Sequence, residues 1–67
     1  MNGLKLTRRE MDVLDWLMQG YANKEIAQRL NISCFTVRDH VSSLLFKYGV
    51  KSRMALMVAV SHLGGGT

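Results

Sequence analysis

The side chains best equipped to make directional contacts with another molecule are grouped at Phe35, Arg38, Asp39, Ser42 and Ser43. Arg38 offers a planar fork of donors, Asp39 only accepts, and a serine hydroxyl does either. Plotted at a helix's 3.6-residue turn, these five fall on one side. Val37, Val41, Leu44, Leu45 and Tyr48 fall within an opposing apolar arc. Such a set reads hydrogen-bonding edges; it does not make or break covalent bonds. Catalytic alternatives find less support. Asp12 and Asp15 lie one turn apart, but no histidine or third acid is near them in sequence, so a solvated helix face accounts for them. His40 and His62 are too far apart and too lightly accompanied for a closed zinc site, which takes four N/S ligands. No nucleophile–base spacing is present, and the glycines are single outside the terminal GGG, so no phosphate-cradling loop exists. The expectation is a binding protein with no enzymatic activity, no metal and no cofactor.

Punctuation along the chain indicates how this face is held. Ser33 can accept from the orphan N–H groups of a helix start, and Gly49 stands where a left-handed residue ends one, giving a helix over 34–48. Before it, Asn23 is expected to cap a short helix that turns Ile26, Ala27 and Leu30 inward. Asn31 can adopt the left-handed turn conformation, and Ile32 ties the turn to the core. Thr7 and Glu10 form T-x-x-E, a capping box that opens a first helix. In that helix Met11, Val13, Leu14, Leu17 and Met18 make a wide apolar arc, Trp16 sits at the edge of the arc as a packing residue, and Gly20 ends the helix. Beyond Gly49, Val50 packs down and Ser52 caps a fourth helix ending before Gly64. The run MALMVAV is ambiguous with a buried strand, but its cap and stop signals favour helix. Leu56, Met57, Val60 and Leu63 suit the core. Met54, Ala55, Val58, Ala59 and His62 make a second, mostly apolar side expected to meet a twin, giving a homodimer through the fourth helix. The reading is an all-α, compact four-helix bundle over 7–63, with a lead-in over 1–6 anchored by Leu4 or Leu6, and a flexible tail over 64–67. A presented helix preceded by a shorter helix and a turn is the arrangement of a helix-turn-helix DNA reader.

Bulk properties agree with this arrangement. At 67 residues the chain makes one domain. A domain of that size hides only ~60% of its unfolded surface, so its stability margin is narrow. With 48% hydrophobic residues it has material for one modest core and is not disordered by composition. The net charge of +4 is concentrated: residues 21–53 hold Lys24, Arg29, Arg38, Lys47, Lys51 and Arg53 against Glu25 and Asp39, which accounts for the whole excess. A phosphate-binding footprint requires positive charge placed there. The single Cys34 excludes an internal disulfide and suits a reducing compartment. No signal peptide opens the chain, and no apolar run reaches the ~18 residues of a membrane span, so a cytoplasmic protein is expected.

The order of residues resembles the LuxR-type (GerE-type) helix-turn-helix family. The carrying elements are L-T-x-R-E at 6–10, Gly20, N-K-E-I-A at 23–27, T-V-R-x-H-V at 36–41 and K-x-G-V-K-S-R at 47–53. The similarity runs from residue 6 to about 63. It implies a four-helix bundle in a bacterial transcription regulator that binds double-stranded DNA as a dimer. It implies that Arg38, Asp39 and Ser42 face base edges. Asn23, Lys24, Cys34, Thr36, His40, Lys51 and Arg53 would then lie at or near phosphates. Arg38 suits guanine and Ser42 either base type, whereas Asp39 can accept from cytosine or act by excluding wrong sites. Cys34 and Phe35 depart from the polar or charged residues usual in the family at the reader's start. Cys34 is either a small spacer or, near a helix N-terminus, a redox-sensitive thiol. Phe35 either touches a thymine methyl or folds back onto the core. Phe46 points outward where the family often has a charge, and hints at a partner surface. Relatives often carry an N-terminal receiver or sensor domain, so the chain is either a stand-alone regulator or an output domain. A second function stays open at this point: a module of the same fold that pairs with another regulator and modulates it.

Overall fold

A computed structural model describes residues 5–63. Local capping explains its elements: α1 Arg8–Met18, α2 Asn23–Leu30, α3 Cys34–Tyr48 and α4 Arg53–Leu63, with no strand among the described residues. Thr7 and Glu10 form the reciprocal box that starts α1. The Glu10 N–H donates to Thr7 Oγ1 at 3.0 Å, and the Thr7 N–H donates to Glu10 Oε1 at 2.9 Å. Ser33 Oγ accepts from the Thr36 N–H at 3.0 Å to start α3, and Ser52 Oγ accepts from the Ala55 N–H at 3.0 Å to start α4. Asn31, at φ 58°, and Gly49, at φ 68°, supply the left-handed residues that end α2 and α3. MALMVAV is therefore helical, as its flanking signals required.

The α2 start corrects the sequence reading. Ala22, not Asn23, is the capping residue, and it has no side-chain acceptor to offer. Glu25 compensates by reaching back to accept from the Ala22 N–H at 2.9 Å. This leaves Asn23 inside the helix with its amide free for a partner elsewhere in the fold.

α3 is the central element and packs against the other three. The core unites Val13, Leu14 and Leu17 of α1 with Ile26 and Ala27 of α2, Val37, Val41 and Leu44 of α3, and Leu56 of α4. Burying each of the larger aliphatic side chains stabilises the fold by roughly 1.5–3 kcal/mol. Leu6, Trp16, Leu30, Ile32, Leu45, Tyr48, Val50, Met57 and Val60 pack around this centre, partly covered. Met11 departs from its expected place: at 45% exposure it borders the buried arc of α1 and does not fill it. The Leu4 anchor, the Leu63 side chain and the tail over 64–67 lie outside the described residues.

Candidate nucleic-acid interface

Because Val37, Val41 and Leu44 are held in the core, the other side of α3 must face solvent. Arg38, Asp39 and Ser42 are exposed there, together with Cys34 and Phe35. Phe35, 70% exposed, is not folded back onto the core, and Phe46 projects from the far end of the same helix at 86% exposure. Thr36 and His40 are half-buried on the flank. The Thr36 hydroxyl lies 2.9 Å from Ser33 Oγ, so part of its hydrogen-bonding capacity serves the helix cap. Lys24 at the start of α2 and Lys51 in the turn before α4 are both exposed. Neither Arg38 nor Lys24 has an ion pair or side-chain hydrogen bond among the described residues, which leaves both cations available.

Two of the expected phosphate-binding positions are joined to each other. One terminal nitrogen of Arg53 donates to Asn23 Oδ1 at 2.8 Å and the other donates to the Tyr21 carbonyl oxygen at 2.5 Å. The first residue of α4 thus clamps the entry of α2, where Lys24 stands. Arg29 packs on the side chains of the same region. Its guanidinium lies 4.3 Å from the Tyr21 ring centre and 5.0 Å from that of Trp16, and the two rings meet edge to face at 5.2 Å. Trp16 therefore packs, as its position at the edge of an apolar arc suggested.

Ser43 requires a correction. The helical plot put it with the presented residues, yet it is half-buried, and its hydroxyl donates to Glu10 Oε2 at 2.5 Å. Lys47 donates to Glu10 Oε1 at 2.7 Å and to the Lys5 carbonyl oxygen at 2.9 Å. The Glu10 carboxylate, 5% exposed as a residue, is the one buried charged group among the described residues. The Lys47 ammonium and the Ser43 hydroxyl, with the Thr7 N–H, hold it ionised. Its pKa falls from 4.5 to about 2, against the opposing effect of burial. This network locks the start of α1 to the C-terminal half of α3, so Lys47 contributes less to the basic face than its charge suggests. Sequence alone offered one clue to it: Glu10 continues the line of Leu14 and Leu17 at i, i+4 and i+7, which places a carboxylate on a buried arc.

Among the described residues no three His, Cys, Asp or Glu side chains gather as a metal site would require, and no helix is long and apolar enough to cross a membrane. A short helix, a left-handed turn and a second helix with one side in the core and an arginine-bearing side in solvent define a helix-turn-helix DNA-binding domain. Comparison with known proteins makes the assignment specific. The model for "Bacterial regulatory proteins, luxR family" matches residues 4–60, and the chain belongs to that family. It is 53% identical over 53 residues to the nitrate/nitrite response regulator protein NarP of Escherichia coli, covering 79% of this chain and 25% of NarP. It is 44% identical over 59 residues to the spore germination protein GerE of Bacillus subtilis, covering 88% of this chain and 80% of GerE. A solved structure of the transcription factor GerE superposes with a TM-score of 0.79 at 37% identity, covering 88% of each chain. The family is one of transcription regulators that act by binding DNA, not of enzymes.

Proposed function

We propose that the chain binds duplex DNA sequence-specifically to control transcription, with α3 lying in the major groove. The observation that carries this reading is the exposed Arg38–Asp39–Ser42 side of a helix whose opposite side is the core. Arg38 donates to guanine, Asp39 accepts from cytosine or rejects competing sites, and Ser42 adjusts to either base type. Lys24 and Lys51 take phosphates beside the groove, with His40, Thr36 and Cys34 at the reader's edge. Asn23 and Arg53 approach the backbone as one hydrogen-bonded unit. Selecting bound fragments from a random duplex library at fixed salt tests binding, base preference and half-site spacing together. Recovery of unselected sequence would defeat the proposal. Lys24→Ala is expected to weaken all duplexes alike and to flatten the slope of log affinity against log salt by about 1. That slope is measured by titration at several salt concentrations.

The regulator acts as a homodimer through α4. Met54, at 71% exposure, and Val58, at 53%, stand out from a helix whose Leu56 is fully buried, and Ala55, Ala59 and His62 share that outer side. Two subunits so paired present their reader helices to the halves of a two-fold site. Val58→Asp is expected to leave a folded monomer that loses much more affinity for a double site than for a half-site. Sedimentation checks the first outcome and duplexes of each kind the second. The chain spans about a quarter of the length of NarP and four-fifths of that of GerE. By likeness to response regulators such as NarP, a receiver or sensor domain would supply the signal, and the whole would work in the bacterial cytoplasm.

A further inference from the structure

Phe35 is the second residue of α3 and stands in solvent one turn before Arg38 and Asp39. Counting ~100° per residue, Phe35, Asp39 and Ser42 share one narrow stripe, and Arg38 flanks it. From Phe35 to Ser42 the helix rises ~10 Å, about three base-pair steps of 3.4 Å. A large apolar side chain on that stripe has no job in the core, which is complete without it. Nor can it hydrogen-bond to a base or a phosphate. One feature of the major groove matches it: the 5-methyl group of thymine, the apolar element among the donors and acceptors displayed there. In helix-turn-helix docking, the N-terminal residues of the reader are those that reach base edges, and Phe35 precedes all three polar readers. We infer that Phe35 is a specificity residue that recognises a thymine methyl one or two steps from the base pair read by Arg38. Phe46, about 16 Å further along the helix, stays clear of this contact. The inference rests on the DNA-binding reading and adds a base to it.

The test uses the highest-affinity duplex recovered from the library. Each thymine is replaced singly by deoxyuridine, which removes the methyl group and leaves every hydrogen-bonding group in place. The unmodified protein is expected to lose about fourfold in affinity at one thymine per half-site, the equivalent of one buried methyl group. Phe35→Ala is expected to bind the parent duplex more weakly and to show no further loss with deoxyuridine, whereas Phe35→Leu keeps part of the discrimination. Phe46→Ala should preserve the wild-type profile. Tight binding by the unmodified protein with no sensitivity to any methyl group would overturn the inference while leaving the DNA-binding reading intact. A methyl penalty that survives Phe35→Ala would overturn it as well, by assigning the contact to another residue. If the unmodified protein binds no duplex at all, both readings fall together.

Discussion

Replacing Glu10 with alanine should destabilise the domain by about 2–4 kcal/mol, the largest stability effect expected of any polar substitution in it. The Thr7 N–H and the Ser43 hydroxyl lose their acceptor, and the Lys47 ammonium loses one of two, keeping the Lys5 carbonyl oxygen. Lys47 is 29% exposed, so solvent recovers part of the loss and keeps the figure below that of a fully buried pair. Against a total stability of roughly 0.05–0.15 kcal/mol per residue, this is a large fraction. A domain of this size should melt at least ~10 °C lower, as a thermal scan by circular dichroism would record. A drop of only 1–2 °C would show that the network contributes little.

The same carboxylate sets a pH dependence with a definite sign. Its pKa of about 2 in the folded state lies below the ordinary 4.5, so the folded protein holds this proton less tightly than the unfolded chain does. The resulting stabilisation is fully present above pH 4.5 and is lost as pH falls from there toward 2. Glu10→Gln keeps the side-chain shape but removes the titration. The gap in melting temperature between wild type and Glu10→Gln should therefore be widest near neutral pH and close as the solution is acidified. A gap that stays constant with pH would exclude Glu10 as its source.

The second large effect concerns binding. Arg38→Ala should weaken the preferred site by about 1–3 kcal/mol, some 5- to 150-fold, and relax selection at one base pair. Its melting temperature should stay close to that of wild type, because Arg38 is exposed and makes no side-chain bond within the described fold. Arg38→Lys should recover general affinity but not the lost preference, since an ammonium cannot form the paired contact with guanine that a guanidinium fork makes. Competition between the selected duplex and its single-base variants measures both quantities. The contrast with Lys24→Ala is diagnostic: loss at one base pair against uniform loss across sequences. If Arg38→Ala weakened every sequence equally, its role would be that of another phosphate contact.

Sequence determined the helices, the turn and the side that α3 presents, because those depend on interactions three or four residues apart. Caps at Thr7, Ser33 and Ser52 and left-handed residues at Asn31 and Gly49 act within a single turn, and the Val37–Val41–Leu44 arc repeats at steps of four and three residues. Tertiary structure alone decided what the flanking polar residues do. Ser43 and Lys47 reach Glu10 across 33 and 37 positions, and Arg53 reaches Asn23 across 30. Periodicity says which way a side chain leaves its own helix, but not which neighbouring helix end will be there to meet it. For the same reason Asn23 was legible as a capping residue type, yet became the acceptor for an arginine once α4 packed beside α2. The choice for Phe35 between core and solvent was settled in the same way: the core closed without it and left it beside Arg38 in solvent.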